Sequence, residues 1–162
     1  MAESDLYEPI KEALKVAFPK LYLEVTATKI DDYMKEALDD QALAILLKER
    51  KRPDLMGFTG QIENRKIAVV EVKDDKLGLD SIYQIKKYAE ILGAQYAFLI
   101  YTEKLPEELR RFLERKLEVL AYSAGARIIL IRYLKNIDQL EVVENSPSHY
   151  WYNQVKKELT DG

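Results

Sequence analysis

Glu71 and Lys73 place two opposite charges directly after an apolar run. The run comprises residues 67–70, and Glu71-Val72-Lys73 continues it. Alternate residues of a β-strand point to the same face, so we expect the carboxylate of Glu71 and the ammonium of Lys73 to lie side by side. An isolated Glu-x-Lys is common by chance, and the simpler interpretation is a strand end that reaches water. A second acid on a neighbouring strand favours chemistry instead.

Asp54 is that second acid. A short strand is predicted at Pro53–Gly60, and it can form a hairpin with the predicted strand Lys66–Lys73 through Gln61–Arg65. Side chains on one face of paired strands lie about 5 Å apart. Two carboxylates at that distance repel each other unless a cation lies between them. Mg²⁺ is commonly held by one or two carboxylates with water and substrate phosphate. The alternative is a pair of surface acids that never meet.

These residues together resemble the PD-(D/E)xK nuclease superfamily. Pro53-Asp54 precedes Glu71-Val72-Lys73 at the end of an apolar strand, as in that superfamily. Gln84 and Tyr88 are similar to the Gln-x-x-x-Tyr motif of its RecB-like branch. The resemblance covers about residues 3–133. It implies a restriction-endonuclease-like fold and hydrolysis of DNA phosphodiester bonds that depends on Mg²⁺ (or Mn²⁺).

The resemblance also implies a role for each residue of the motif. Asp54 and Glu71 would ligate the metal, with the backbone carbonyl of Val72 as a third ligand. Lys73 would position the attacking water or help to deprotonate it. The metal would activate that water and stabilise the pentavalent phosphate. The sequence leaves open whether one or two metal ions act.

Three further catalytic candidates come from the helices. In the resembling family, residues placed as Gln84 and Tyr88 orient the lysine or contact phosphate; the alternative is the border of an ordinary amphipathic helix. Glu8, on the first predicted helix, matches an additional acid of the family and would bind the metal directly or through water. Glu12 and Glu24 compete with Glu8 for that role. For each of these three acids, the alternative is an ordinary carboxylate exposed to solvent.

The elements that must position these residues indicate an α/β domain. Helices are predicted from helical spacing of apolar residues, and strands from runs of strand-forming residues. The predicted order is α-β-(α)-β-β-α-β-α-β, which favours a mixed sheet with helices on both faces. The predicted helices are 3–18, 31–50, 79–92, 106–121 and 150–159, and the predicted strands are 21–26, 53–60, 66–73, 95–101 and 126–133. We expect a single domain with a core at about 3–133, an inserted helix at about 31–50 and a tail at 134–162.

Composition narrows the classes of function. The chain has 162 residues and no cysteine, which excludes disulfides, thiolate metal sites and cysteine nucleophiles. It contains no apolar run long enough for a membrane span and no glycine-rich phosphate loop, so we expect a cytoplasmic protein without a nucleotide cofactor. Abundant Glu, Lys, Ile, Leu and Tyr favour a thermophilic source.

A basic run is the candidate surface for DNA. The net charge of −3 does not indicate a nucleic-acid-binding protein, but Lys48, Arg50, Lys51 and Arg52 concentrate positive charge just before Asp54. The alternative is a solvated helix end, where cations are favoured. Nucleases of this type that cut both strands are often dimers, and the apolar side of the predicted helix 31–50 is a possible homodimer surface.

Two other functions compete with the nuclease hypothesis. The first is a catalytically silent, nuclease-like module that binds DNA or assists assembly. The second is a structural α/β domain whose motif arose by chance. The presence of all three of Asp54, Glu71 and Lys73 favours the enzyme.

Overall fold

The computed structural model describes residues 2–61, 64–144 and 146–160. The α-helices are α1 (Tyr7–Ala17), α2 (Asp32–Lys35), α3 (Asp40–Glu49), α4 (Leu79–Leu92), α5 (Glu107–Arg115) and α6 (Pro147–Thr160). The strands are β1 (Tyr22–Val25), β2 (Leu55–Thr59), β3 (Lys66–Lys73), β4 (Tyr96–Tyr101), β5 (Ile128–Leu134) and β6 (Gln139–Glu141). Short 3-10 turns occupy Glu3–Leu6, Leu117–Leu120 and Ser123–Gly125.

Within the described residues, the strands form one six-stranded sheet whose spatial order follows the chain. β2 pairs antiparallel with both β1 and β3. β4 pairs parallel with both β3 and β5, and the outer strand β6 pairs antiparallel with β5. The mixed sheet confirms the predicted α/β class. The carboxyl ends of β3, β4 and β5 therefore meet at one edge of the sheet, and β2 begins at that same edge.

Two apolar clusters lie on opposite faces of the sheet. Alternation along β3 sends Ile67 and Val69 into one cluster and Ala68 and Val70 into the other. Helices α2, α3, α4 and α5 supply buried residues to the first cluster, whereas α1 and α6 supply them to the second. The predicted arrangement of helices on both faces is thus confirmed.

The helix predicted at 31–50 is two helices. Asp39 caps α3, because its side chain accepts a hydrogen bond from the backbone N–H of Ala42 at 3.0 Å. Such an N-cap starts a new helix and breaks the continuous helix that the apolar spacing predicts. Helix α3 ends at Arg50, which adopts a left-handed conformation with φ of 57°.

The C-terminal part of the chain is more ordered than predicted. The segment predicted as a tail contributes β6 and α6, and α6 begins at Pro147 rather than Tyr150. Val155 and Leu159 of α6 are buried against the sheet.

The predicted helix 106–121, in contrast, is shorter in the structure, since α5 ends at Arg115 and a 3-10 turn follows. Among the helices in the described ranges, none combines the length and apolar character that crossing a membrane requires.

Candidate functional site

Asp54 and Glu71 meet where β2 begins beside β3. The antiparallel register pairs Leu55 with Val70, so one further residue along each chain sets Asp54 opposite Glu71. A cavity of about 180 Å³ opens there. It is lined by Glu3, Asp54, Glu71, Val72, Lys73, Ser81, Gln84 and Leu99, and is called the acidic cleft below. The hairpin predicted from sequence is present, although residues 62 and 63 of its connection lie outside the described residues.

Hydrogen bonds fix Asp54 in position immediately before the first residue of β2. Its Oδ1 accepts a hydrogen bond from the hydroxyl of Tyr7 at 2.9 Å, and its Oδ2 accepts one from the backbone N–H of Val72 at 2.8 Å. Fully buried Thr26 fixes the backbone, because its N–H donates to the Asp54 carbonyl and its hydroxyl donates to the Pro53 carbonyl. Both the main chain and the carboxylate of Asp54 are therefore constrained.

One carboxylate oxygen of Glu71 lacks such a partner. Its Oε1 is buried and has no hydrogen-bond partner among the residues that the structure describes. Burial, first, and then the charge and hydrogen bond of Asp54 and the charge of Glu3 raise the pKa of Glu71 to about 10. Without a cation, this carboxyl group therefore retains its proton near neutral pH. A divalent cation between the two carboxylates would remove the repulsion and satisfy the unpaired oxygen.

The donor set available to a metal is small. The described part of the chain contains no group of three or more His, Cys, Asp or Glu side chains arranged to hold a metal ion. Two carboxylates completed by a backbone carbonyl, water and substrate phosphate are nevertheless a set that suits Mg²⁺. The backbone of Val72 lies at the acidic cleft, and ligation by its carbonyl stays a prediction.

Lys73 and Gln84 line the acidic cleft, whereas Tyr88 is buried in the core and does not. Lys73 is half-buried, two residues after Glu71 on the same strand. Gln84 is exposed and can reach a ligand. Tyr88 is 2% exposed in the core, and burial, together with the negative charges of Glu71 and Asp54, raises its pKa. Tyr88 is therefore inaccessible to a ligand in the acidic cleft, and a catalytic role for it stays a prediction.

Glu8, the additional acid predicted on the first helix, does not line the acidic cleft. Glu8 is exposed on α1 and pairs with Lys11 at 3.1 Å. Glu3, in the 3-10 turn before α1, lines the acidic cleft instead, and its Oε1 accepts a hydrogen bond from the backbone N–H of Asp74 at 3.0 Å. The reason is the docking of α1, whose buried side faces the sheet and leaves Glu8 towards solvent.

Glu12 and Glu24, the two acids that competed with Glu8, do not line the acidic cleft either. Glu12 is exposed on α1. Glu24 is 7% exposed and accepts hydrogen bonds from the hydroxyl of Tyr22 at 2.8 Å and from the backbone N–H of Asp31 at 2.9 Å. Glu24 therefore stabilises the connection between β1 and α2 through these hydrogen bonds.

Four residues near the site were not anticipated: Glu3, Tyr7, Thr26 and Ser81. Thr26 had a weak signal, because a polar β-branched residue after a strand is suited to bonding a neighbouring backbone. The contribution of Glu3 and Tyr7 depends on how α1 packs against the sheet, and nothing in the local sequence reveals it. Ser81 shares a helical face with Gln84, three residues later, which was a usable signal.

The basic run immediately precedes Pro53-Asp54, and none of its residues is among those that line the acidic cleft. Lys48, Arg50 and Lys51 are exposed, and Arg52 is half-buried, two residues before Asp54. The Nε of Arg52 is buried and has no partner within the described ranges. The basic run therefore comprises the end of α3 and the residues that connect α3 to Pro53-Asp54.

The apolar side that suggested a dimer surface is used inside the protein. Met34, Leu38, Ala42 and Leu46 are all buried in the core. Ile45 remains 48% exposed on the outer side of α3. The homodimer stays a prediction, although most of the apolar side on which it was based is buried within the protein.

Comparisons of the chain with protein-family models, curated proteins and solved structures gave no match.

Proposed function

We propose that this protein is a metal-dependent nuclease of the PD-(D/E)xK type that hydrolyses DNA phosphodiester bonds. The observation that carries the proposal is the buried, unpartnered Oε1 of Glu71 opposite Asp54. A structural carboxylate in that position destabilises the fold, because burying an unpaired acid is unfavourable. The same arrangement is useful if the two acids hold a cation. Lys73 lines the same cleft, and a lysine next to a bound cation can position the attacking water.

Five residues of the cleft have a role in this proposal. Asp54, Glu71 and the Val72 carbonyl would hold Mg²⁺ or Mn²⁺, and a bound metal supplies Lewis acidity and a more acidic water. Lys73 donates hydrogen bonds to the attacking water and offsets charge on the phosphate. Gln84, the exposed amide on α4, orients Lys73 or the phosphate. This division of labour needs no further cofactor.

DNA is the proposed substrate because the basic run lies immediately before Pro53-Asp54 in the chain. A chain of net charge −3 gains little general attraction for a polyanion. Lys48, Arg50, Lys51 and Arg52 provide local attraction to backbone phosphates next to Asp54. One acidic cleft cuts one strand, so cleavage of both strands would require two cuts or a homodimer.

The experiment is cleavage of end-labelled duplex, single-stranded, flap and junction DNA, and of matched RNA, with Mn²⁺ or Mg²⁺. We expect the wild type to cut at least one DNA substrate and EDTA to abolish the cutting. Asp54→Asn and Lys73→Ala should be inactive but folded, whereas Glu90→Gln, an exposed acid on α4, should cut normally. Cutting by Asp54→Asn at the wild-type rate would refute the proposal.

A silent module makes a different prediction in the same experiment. It would bind metal or DNA but leave every substrate intact. Binding without cleavage across the whole panel, with both metals, would therefore favour that alternative over an enzyme.

A further inference from the structure

Asp54 receives one hydrogen bond on each carboxylate oxygen, from two different parts of the fold. The Val72 N–H comes from the neighbouring strand and reaches Oδ2 at 2.8 Å. The Tyr7 hydroxyl comes from the first residue of α1 and reaches Oδ1 at 2.9 Å. A carboxylate oxygen has two acceptor positions, so each oxygen of Asp54 keeps one for a further partner. The two donors fix the orientation of the carboxylate plane and leave one acceptor position free on each oxygen.

Tyr7 is itself well anchored. Its ring is partly buried against the apolar cluster that includes Leu6, Ile10 and Leu14. Burial and the charge of Asp54 raise the pKa of the Tyr7 hydroxyl, so it remains a donor throughout the physiological range. The docking of α1 on the sheet thus sets the position of one donor to Asp54.

We infer that Tyr7 is a positioning residue that orients Asp54 to bind the metal of the acidic cleft. This inference rests on the proposed function and assigns a role to a residue that touches neither substrate nor metal. With Tyr7 in place, Asp54 needs no reorientation when a cation enters between it and Glu71. Groups that hold a metal ligand in this way typically change metal affinity by about 10–100-fold when they are removed.

The test is Mn²⁺ binding to the purified protein, followed through the electron paramagnetic resonance signal of free Mn²⁺. Tyr7→Phe keeps the ring and removes only the hydroxyl. We expect its dissociation constant for Mn²⁺ to rise by about tenfold or more. Tyr150→Phe removes a hydroxyl from a side chain that is 63% exposed on α6, and should bind Mn²⁺ as the wild type does.

A purely structural role for Tyr7 makes a different prediction. It would lower thermal stability in EDTA but leave the Mn²⁺ dissociation constant of the folded protein unchanged. In cleavage assays, a positioning role raises the metal concentration for half-maximal activity and leaves the KM for DNA at saturating metal unchanged.

The outcomes separate the two proposals. Absence of Mn²⁺ binding by the wild type would overturn the proposed function and this inference together. Mn²⁺ binding by the wild type, with an equal dissociation constant for Tyr7→Phe, would overturn only the role of Tyr7.

Discussion

Replacing Glu71 with Gln should stabilise the metal-free protein, although it should destroy the proposed metal site. Glu71 is buried opposite Asp54, and its pKa is raised from 4.5 to about 10. The folded protein therefore keeps a proton on Glu71 at neutral pH, whereas the unfolded chain releases it. A glutamine is neutral in both states and retains a donor for Asp54, so it avoids this difference.

The magnitude follows from proton linkage. A raised folded-state pKa gives a contribution to stability that is fully present below the unfolded pKa and is lost as the pH rises towards the folded pKa. Each pH unit in that window removes about 1.4 kcal/mol. From pH 4.5 to pH 7 the loss is about 3 kcal/mol, and we expect about 2–3 kcal/mol because Glu71 is not completely shielded from water. For a domain of this size, that corresponds to a rise in Tm of roughly 5–10 °C for Glu71→Gln.

The assay is thermal or denaturant unfolding in EDTA from pH 5 to pH 8.5. The difference in unfolding free energy between Glu71→Gln and the wild type should be small at pH 5 and should grow with pH. Glu90→Gln, at an exposed position, should show no such trend. Saturating Mg²⁺ should stabilise the wild type but not Glu71→Gln. A difference that is negative, or that does not change with pH, would refute the linkage.

Three further predictions concern other parts of the molecule. Glu3→Gln should weaken Mn²⁺-dependent cleavage more than Glu8→Gln, since only Glu3 lines the acidic cleft; equal kcat/KM values would contradict this. The double variant Arg50→Gln/Arg52→Gln should weaken DNA binding and flatten its salt dependence at unchanged metal affinity, measured by fluorescence anisotropy; an unchanged salt slope would show that the basic run is only a solvated helix end. Gly57→Ala should destabilise the fold severely in denaturant unfolding, because its Cβ would lie 1.9 Å from a backbone carbonyl oxygen of β1; wild-type stability would show that the two strands can separate at little cost.

Local signals explain why some elements could be predicted to the residue. β3 occupies the predicted Lys66–Lys73, where a continuous apolar run satisfies both faces of a buried strand. α4 occupies the predicted Leu79–Leu92, because Gly93 adopts the left-handed conformation that ends a helix, with φ of 61°. The meeting of Asp54 and Glu71 follows from a hairpin, whose register depends on nearby residues.

The remaining features depend on tertiary packing or on a competing local signal. Glu3 and Tyr7 reach the cleft only because α1 docks on the face of the sheet next to Asp54. The break in the predicted helix 31–50 has a local cause, Asp39 as an N-cap, but helical apolar spacing continues across it and conceals the interruption. Helix α6 is stabilised by burial against the sheet.

We propose above all that a divalent cation binds between Asp54 and Glu71. The most direct measurement is anomalous X-ray diffraction from crystals of the wild-type protein grown with Mn²⁺. We expect a strong anomalous peak in the acidic cleft, within coordination distance of a carboxylate oxygen of each acid and of the Val72 carbonyl. A cleft without a peak at saturating Mn²⁺, or a peak bound by other residues, would contradict it.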